Sequence, residues 1–433
     1  MLDIRWIREN EKQVQEAAHA KMLKLSVKEL LKWDETRRRL LQESEDLRRR
    51  RNEGSKQVAV AAQVGEMSAM EGMKASLKEL SGQLEVVEKE LQTAEAEFNR
   101  LMLLVPNVPS ADTPAGLSDA DNVELRRAGD LPVWNFAPKD HVELGVLHGM
   151  IDIPRGVKVA GSRSYYLKGQ GLLLHRAVQQ LALDLLLDAG FTPLEVPLLM
   201  KEEQMINTGY FPSGRDQAYE VADEGSWLAG TAEVPLVSYY GDEIVDVKEP
   251  IRLAAVSTCF RNEVGSAGRD VRGLYRVHQF SKVEMVVICE PDDAVSDALH
   301  NEITDHAEQL LSLLELPYRV MAVCAGDMSP KTYKQYDIET WMPSRGDFGE
   351  THSSSNLHSF QARRSNIRCR DAEGRLVFCH TLNNTAVASP RILIPLLENH
   401  QREDGSIYIP EALRKYLGGR ERLVPGNVEA MND

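Results

Sequence analysis

Residues 252–288 read RLAAVSTCFRNEVGSAGRDVRGLYRVHQFSKVEMVVI, and this stretch holds the strongest structural pattern in the chain. Its two ends, Leu253–Phe260 and Phe280–Ile288, are rich in β-branched and aromatic residues, which predicts two strands. The connection between them contains glycines and arginines, namely Gly265, Gly268, Gly273, Arg261, Arg269, Arg272 and Arg276. The pattern therefore predicts a long antiparallel strand–loop–strand with a cationic, flexible loop.

Arg261 and Glu263 stand at the end of the first predicted strand. An arginine held by a rigid sheet is suited to phosphate recognition, because its planar guanidinium matches two phosphate oxygens at once. Glu263, two residues further on, would face the same ligand and accept hydrogen bonds from an amine such as an adenine N6. The alternative is a surface hairpin whose charges are solvated.

Composition excludes several classes of protein. There is no early apolar run with a cleavage site and no stretch of about 18 uninterrupted apolar residues, so we expect neither export nor membrane insertion. The five cysteines are odd in number and lack CxxC spacing, so no zinc is expected and a reduced, cytoplasmic protein is predicted. The net charge of −15 argues against indiscriminate nucleic-acid binding. No P-loop or dinucleotide-binding fingerprint is present, which disfavours those nucleotide folds.

The first 105 residues contain two runs of mostly apolar residues at alternating spacings of three and four, although two positions of the first run are Arg. The first run is Leu30, Trp33, Arg37, Leu40, Ser44, Leu47 and Arg51, and the second is Met73, Leu77, Leu80, Leu84, Val87, Leu91, Ala94, Phe98, Leu101 and Val105. Sustained periodicity near 3.5 residues predicts a coiled coil. Gly54, Ser55 and the segment Val58–Gly65 mark the expected reversal of the chain. Residues 1–105 are therefore predicted to form an antiparallel helical arm projecting from a globular body.

Positive charge is concentrated on the first of these two runs. Residues 37–56 contain eight Lys or Arg and four Asp or Glu, including the run Arg48–Arg51. One interpretation is a solvated helix face, which is the usual fate of such runs. The other is a surface that contacts the phosphates of an RNA helix, because double-stranded RNA is recognised mainly through its backbone and shape.

The middle of the chain predicts a linker followed by a second domain. Prolines 106, 109 and 114 end the second helix, and residues 106–135 are predicted to be a linker and docking segment. The second domain is predicted to span residues 136–433. Within it, Leu172–Ala189 is apolar at helical spacing, and FTPLEVPLLM, residues 191–200, predicts a strand ending near Pro197.

Polar side chains at two points in this domain are suited to a substrate. Thr231 and Glu233, in the sequence TAEVP, offer a hydroxyl and a carboxylate, although the same residues also suit a helix N-cap. Glu284 lies in the apolar return strand, where a buried carboxylate is costly unless it has a partner. A substrate hydroxyl is one candidate partner for Glu284, and Lys282 is the other.

Two later segments complete the pattern. Glu350–Ser355, ETHSSS, follows the strand-like run Tyr336–Met342. Thr381–Arg391, TLNNTAVASPR, predicts a strand that leads into a helix, with Pro390 near the first turn.

Taken in order, these segments resemble the class II aminoacyl-tRNA synthetases, and in detail the seryl-tRNA synthetases. FRNEVGSAGRDVRGLYRVHQFSKVEM resembles motif 2, the helix and strand at 172–200 resemble motif 1, TAE resembles the TxE loop, and Thr381–Arg391 resembles motif 3. FRNE replaces the commoner FRSE, and motif 3 has few of the family's glycines, which indicates a subtype. The resemblance implies an α+β fold with an N-terminal antiparallel α-helical coiled-coil arm. It also implies a class II synthetase catalytic domain built on an antiparallel β-sheet flanked by helices.

The resemblance also implies site residues. Those for serine are Thr231, Ala232, Glu233, Arg261, Glu284 and Thr385. Those for ATP are Arg261, Asn262, Glu263, Val277, Glu350, Thr351, His352, Ser353 and Arg391. Arg261 and Arg391 would be catalytic, and Glu350 and Ser353 would bind Mg²⁺, which prefers oxygen ligands.

The implied activity is activation of L-serine with ATP to seryl-adenylate and transfer of the seryl group to the 3′ end of serine tRNA. Selenocysteine tRNA is left open as a further acceptor. The arm would bind the tRNA, and motif 1 would form a homodimer. Two alternatives stay open: a paralogue or resistance isozyme with another acceptor, and a non-catalytic RNA-binding homologue.

Overall fold

The computed structural model describes residues 1–64, 67–222, 224–264 and 272–426, which form two compact units. One unit contains Asp3–His19 and Leu23–Val105, and the other contains Met1–Leu2, Ala20–Met22 and the described part of Pro106–Asp433. Gly65 of the predicted chain reversal and residues 265–271 of the predicted cationic loop, which include Gly265, Gly268 and Arg269, lie outside the described residues.

The N-terminal unit contains α1 (Ile4–Glu9), α2 (Glu11–Ala20), α3 (Val27–Val64) and α4 (Met67–Leu104). Helices α3 and α4 pack against each other, and the predicted seam is buried at Leu40, Leu47, Leu84, Leu91 and Ala94. The predicted helical coiled-coil arm is therefore confirmed. The chain does not reverse at Gly54, because α3 continues to Val64; one glycine costs a long helix only about 1 kcal/mol.

The second unit contains α5 (His141–Leu147), α6 (Ile153–Ala160), α7 (Gln170–Asp188), α8 (Glu202–Asn207), α9 (Glu233–Ser238), α10 (Asp293–Leu313), α11 (Phe360–Ser365), α12 (Leu393–Asn399) and α13 (Glu411–Arg414). Its strands are β1 (Val123–Ala128), β2 (Ile151–Asp152), β3 (Tyr166–Leu167), β4 (Thr192–Pro193), β5 (Leu199–Lys201), β6 (Glu220–Val221), β7 (Ser226–Leu228), β8 (Ile251–Phe260), β9 (Gln279–Cys289), β10 (Tyr318–Ala322), β11 (Lys334–Met342), β12 (Asp347–Asn356), β13 (Arg368–Arg370), β14 (Leu376–Phe378), β15 (His380–Ser389), β16 (Ile407–Tyr408) and β17 (Arg422–Leu423).

The main sheet has the order β1-β10-β11-β12-β15-β9-β8-β4 among the described residues. Every pairing in it is antiparallel except that of β4 with β8. Strands β8 and β9 are the two predicted from residues 252–288, and they pair in antiparallel register from Ile251 with Ile288 to Phe260 with Gln279. The predicted antiparallel sheet flanked by helices is confirmed.

The structure adds a strand to one predicted segment and corrects another. Residues 106–135, predicted to be a linker and docking segment, contain β1, which is the edge strand of the main sheet beside β10. The single strand predicted at 191–200 is instead two short strands in different sheets, β4 and β5. Pro193 and Pro197 explain this break, because neither residue has an N–H group to donate within a sheet.

The two faces of β9 have different surroundings. Val283, Met285 and Val287 belong to the hydrophobic core that also contains residues of α7 and α10. Lys282 and Glu284 point to the opposite face, as strand alternation requires. Within the described ranges, no helix is long and apolar enough to cross a membrane.

Candidate active site

A cavity of about 250 Å³ lies on the polar face of the main sheet. The sheet residues that line it are Phe280, Lys282 and Glu284 of β9, Asn383, Thr385, Ala388 and Ser389 of β15, Glu350, Thr351, Ser353 and Ser355 of β12, and Gln335 of β11. Its remaining walls come from loops and helix ends, including residues 274–277, residues 329–332 and Arg391. Of the four strands that line the cavity, sequence patterns predicted β9, β11 and β15, but not β12.

Two irregularities in strand pairing decide which side chains reach the cavity. Residues 350 and 353 are three apart, so regular alternation would place them on opposite faces of β12. The register with β11 instead skips Thr351, since Ile338 pairs with His352 and Glu339 with Glu350. This bulge turns Glu350 and Ser353 to the same face. A second skip, at Ala386 of β15, brings both Thr385 and Ala388 to the cavity.

Glu233 is the centre of a buried polar cluster at one end of the cavity. One of its oxygens accepts hydrogen bonds from Lys331 Nζ at 2.6 Å and Asn383 Nδ2 at 2.9 Å. The same oxygen accepts from Gln361 Nε2 at 2.7 Å, and the other accepts from the Tyr210 hydroxyl at 2.5 Å. Burial by itself would raise the pKa of Glu233. The charge of Lys331 and the hydrogen bonds, including those from Tyr210 and Gln361, outweigh that effect, so the pKa of Glu233 lies below the ordinary value. The carboxylate is therefore ionised at neutral pH.

Glu284 lies next to this cluster and shares the cavity with Lys282 and Thr385. Lys282 Nζ is 2.5 Å from Glu284 Oε2, and the Thr385 hydroxyl is 3.5 Å from the same oxygen. The structure shows the lysine partner in place. Glu284 also lines the cavity, so a substrate hydroxyl stays a predicted partner. Burial raises the pKa of Glu284, and the charge of Lys282 opposes that rise.

Cationic side chains and Tyr275 form the other part of the cavity. Arg276 donates to Glu263 at 2.7 Å. Arg391 donates to the backbone oxygens of Tyr275 and Glu350, each at 3.0 Å, and its guanidinium lies 4.4 Å from the centre of the Tyr275 ring. A flat aromatic ring beside fixed guanidinium groups is suited to a nucleotide, which combines a planar base with phosphates.

Arg261 lies between these two parts. Its Nε donates to the backbone oxygen of Gly230 at 3.3 Å, and its guanidinium is 5.1 Å from the centre of the Phe280 ring. These contacts fix the base of the side chain at the end of β8. Its guanidinium lines the cavity, and phosphate binding by Arg261 stays a prediction.

The structure brings most of the predicted site residues to this cavity. The lining set includes Glu233, Arg261, Glu263, Val277, Glu284, Glu350, Thr351, Ser353, Thr385 and Arg391. Four predicted residues are not in that set: Thr231, Ala232, Asn262 and His352.

Their surroundings show what these four residues contact instead. The Thr231 hydroxyl accepts from the Glu233 amide at 3.2 Å in the turn just before α9, and Ala232, the N-cap residue of α9, is fully buried. Asn262 Nδ2 donates to the backbone oxygen of Asp216. His352 has one ring nitrogen at 2.8 Å from Thr351 Oγ1 and the other at 3.0 Å from the Ala386 oxygen, and burial lowers its pKa to about 4. Its ring therefore contacts protein groups on both sides.

Sequence patterns missed several residues of the site. Tyr210, Lys331 and Gln361 come from segments with no motif pointing to Glu233, so no signal in the sequence could have connected them. Lys282 was not missed, because it was one of the two predicted partners of Glu284. Asn383 was within reach of pattern analysis, because it lies two residues from Thr385 on the same strand and alternation places such residues on one face.

Glu350 and Ser353 are suitable ligands for Mg²⁺. Both offer oxygen atoms, both line the cavity, and Gln335 Nε2 orients the Ser353 hydroxyl at 3.2 Å. A second group of ligand atoms, from Asp293, His358 and His380, lies within 4.8 Å. The rings of His358 and His380 are stacked at 9°, so their in-plane lone pairs run parallel and do not converge on one ion.

Two protein-family models and a curated relative match the chain. The model of the seryl-tRNA synthetase N-terminal domain matches residues 1–109, and that of the tRNA synthetase class II core domain (G, H, P, S and T) matches residues 219–400. A serine–tRNA ligase from Deinococcus radiodurans is 46% identical over 424 residues, covering 98% of this chain and 99% of the relative.

Two solved structures extend over the whole fold. The seryl-tRNA synthetase from Pyrococcus horikoshii, complexed with ATP, has a TM-score of 0.89 and 37% identity, with 98% of this chain and 100% of that chain covered. The cytoplasmic serine–tRNA ligase from Naegleria fowleri, in complex with AMP, has a TM-score of 0.84 and 27% identity, with 99% of each chain covered.

Proposed function

The chain belongs to the seryl-tRNA synthetase family and is a serine–tRNA ligase, and we propose that serine and ATP react in the cavity on the polar face of its main sheet. One observation carries the assignment of the cavity. It contains a buried ionised carboxylate, Glu233, and a second buried carboxylate beside a hydroxyl, Glu284 and Thr385, within the same enclosure as Arg261 and Arg391. An amino acid and a nucleoside triphosphate require such a combination.

The carboxylate cluster is the proposed amino-acid end. Glu233 is fixed by four donors, so an α-ammonium group would meet a charge that is already oriented. Glu284 and Thr385 would hold the serine hydroxyl. Thr231 and Ala232, which begin the turn into α9, are proposed to set the position of Glu233 in the chain, Thr231 through the hydroxyl that accepts from the Glu233 amide.

The side of the cavity with Arg276, Tyr275 and Arg391 is the proposed ATP end. Glu263 and Val277 would adjoin the adenine, with Asn262 between Glu263 and the phosphate-binding Arg261. Arg391 would contact the γ-phosphate. Thr351 lines the cavity, and His352 is proposed to support this part of β12 through its contacts with Thr351 and Ala386. The bound ATP of the Pyrococcus horikoshii relative supports an ATP site in this fold.

Activation is an in-line displacement at phosphorus. The serine carboxylate attacks the α-phosphate, a new bond forms between carboxylate oxygen and phosphorus, and pyrophosphate leaves with the electron pair of the broken bond. Negative charge develops on phosphate oxygens, so Arg261 and Arg391 stabilise the transition state electrostatically. Glu350 and Ser353 would hold Mg²⁺, which supplies further positive charge at the phosphates. Seryl transfer to the terminal ribose hydroxyl then depends mainly on positioning.

The helical unit is the proposed tRNA-binding part. Arg48 and Arg49 are exposed on α3, where they make surface ion pairs with Glu88 and Asp46. Such pairs are weak, so the arginines remain exchangeable with phosphates. We propose residues 1–105 as the tRNA-binding domain and 136–433 as the catalytic domain. Residues 106–135 would join the two and contribute the edge strand β1.

Assembly and location complete the proposal. The segment that resembles motif 1, α7 with β4, would form a homodimer, which light scattering would show as a mass twice that of one chain. Serine tRNA is the acceptor, with selenocysteine tRNA as a further acceptor to be tested. A role in charging tRNA for translation implies a cytoplasmic protein.

Two linked assays test this function. The first measures serine-dependent exchange of pyrophosphate into ATP, and the second measures charging of serine tRNA by the same preparation. A serine–tRNA ligase is expected to perform both reactions. Exchange without charging would indicate a paralogue with another acceptor, and the loss of both reactions in folded protein would indicate a non-catalytic RNA-binding homologue.

A further inference from the structure

Residues 274–277, in the last part of the cationic loop before β9, form one wall of the cavity. Two consecutive backbone groups in this wall are held by side chains. Leu274 N–H points at His141 Nε2 at 3.2 Å, and Tyr275 C=O accepts from Arg391 at 3.0 Å. The peptide unit between Leu274 and Tyr275 is therefore held by side-chain hydrogen bonds on both sides, and we call this pair of contacts the clamp.

His141 can act as this clamp in only one tautomer. A backbone N–H can only donate, so Nε2 of His141 must carry the acceptor lone pair, and the ring proton is on Nδ1. Nδ1 then donates to Glu398 Oε1 at 2.8 Å. Gly273 lies against the same ring, and a Cβ at its φ of +83° would collide with His141 Nε2. Only a glycine permits this close approach.

Glu398 fixes His141 and a second support of the same wall. The carboxylate is fully buried in α12 and also accepts from the His141 backbone amide at 2.9 Å. It further accepts from the amide and hydroxyl of Ser344, at 2.9 and 2.8 Å. Ser344 precedes Arg345, whose guanidinium lies 4.4 Å from the centre of the Tyr275 ring. Glu398 thus supports the wall in two ways: through His141 it holds the backbone at Leu274, and through the Ser344–Arg345 segment it holds the ring of Tyr275.

We propose that His141, oriented by Glu398, is a positioning residue that sets the affinity for ATP by fixing residues 274–277. It touches no substrate and acts through Leu274 N–H. The inference rests on the proposed function, which assigns this wall to ATP. Neither residue was part of the predicted site, because His141 and Glu398 are 257 positions apart in the chain.

Two substitutions separate the clamp from general stability. His141→Gln places an amide oxygen near the position of Nε2 and so keeps an acceptor for Leu274 N–H. His141→Asn keeps a donor for Glu398 but is too short to reach Leu274. His148→Asn is the matched control, because His148 is also buried near the end of α5 but contacts the backbone oxygen of Gly405 at 2.8 Å.

The assay is serine-dependent pyrophosphate exchange, with KM measured separately for ATP and serine and Tm recorded for each variant. His141→Asn is expected to raise the KM for ATP about tenfold, because it leaves a buried N–H without an acceptor, while the KM for serine stays within about twofold. The KM for ATP of His141→Gln should lie close to that of the wild type. His148→Asn should leave the KM for ATP and the KM for serine unchanged. If His141→Asn does not fold, Ser344→Ala replaces it and should raise the KM for ATP several-fold.

Three results would overturn the inference. They are an equal rise of the KM for ATP in His141→Asn and His141→Gln, a parallel rise of the KM for ATP and the KM for serine, and an unchanged KM for ATP in His141→Asn. In the Ser344→Ala arm, an unchanged KM for ATP would do the same. Failure of the proposed function can be told apart from failure of this inference, because the wild-type chain would then show no serine-dependent pyrophosphate exchange at all.

Discussion

Replacing Glu284 with glutamine should weaken the choice of serine over alanine. The variant keeps the shape of the side chain but removes the charge that lies 2.5 Å from Lys282 Nζ. A hydrogen bond to a charged group contributes roughly 1.5–3 kcal/mol and a neutral one about 1 kcal/mol. The loss is therefore on the order of 0.5–2 kcal/mol, which corresponds to an increase of about 2- to 30-fold in the KM for serine.

Alanine has no hydroxyl and loses nothing, so the serine-to-alanine ratio in pyrophosphate exchange should narrow by about the same factor. A site built around a hydroxyl favours its substrate over the analogue that lacks the hydroxyl by a factor of roughly 10⁴–10⁵. A fall in the serine-to-alanine ratio of the expected size is therefore measurable. The KM for ATP should change little. An unchanged ratio together with weaker ATP binding would refute the reasoning and assign Glu284 to the nucleotide.

The stability of this variant needs its own control. Removing one partner of a buried ion pair costs about 3–5 kcal/mol, because the remaining charge is left uncompensated. The double variant Lys282→Met with Glu284→Gln removes that orphaned ammonium group. It should regain thermal stability relative to Glu284→Gln while keeping the narrowed serine-to-alanine ratio, so the two effects can be separated.

Further predictions address phosphate binding, the arm and pH. Arg261→Ala should reduce serine-dependent exchange below a tenth of wild type, since losing a donor to a transition-state anion costs roughly 2.7–4 kcal/mol, and activity above a tenth would contradict its role. Replacing residues 32–100 by a short linker should leave exchange within a few fold but abolish tRNA charging; normal charging would refute the role of the arm, and loss of both steps would indicate misfolding. Burial lowers the pKa of His300 to about 4, whereas an unfolded histidine titrates near 6.5, so the unfolded state binds the extra proton between those values. The free energy of unfolding should therefore fall as pH falls through this window, and His300→Phe, which keeps the ring that stacks on Tyr336, should make that slope shallower by up to about 1.4 kcal/mol per pH unit; an unchanged slope would contradict the pKa assignment.

Sequence patterns predicted the parts of the fold that depend on periodicity. The 3.5-residue repeat located α3 and α4, and alternation in β9 placed Glu284 opposite the core residues Val283 and Met285. Periodicity could not locate β1, because its side chains are largely exposed and leave no alternating pattern.

The site was predictable where a motif names the residue and not where tertiary packing supplies it. Alternation alone would separate Glu350 from Ser353, and only the bulge in β12 brings them to one face. Lys331 reaches Glu233 from 98 positions away, and no local pattern encodes such a pairing. Residues whose role is to hold other residues, as Glu398 holds His141, become visible only in the folded chain.

The most direct test of the central claim is a single-turnover reaction of the purified chain with ATP labelled at the α-phosphate, offered each of the 20 amino acids in turn and analysed for aminoacyl-adenylate. Attack of the serine carboxylate at the α-phosphate predicts labelled seryl-adenylate and free pyrophosphate with serine, and none with alanine at equal concentration. Adenylate formed from another amino acid in preference to serine, or release of labelled ADP in place of adenylate, would contradict the account.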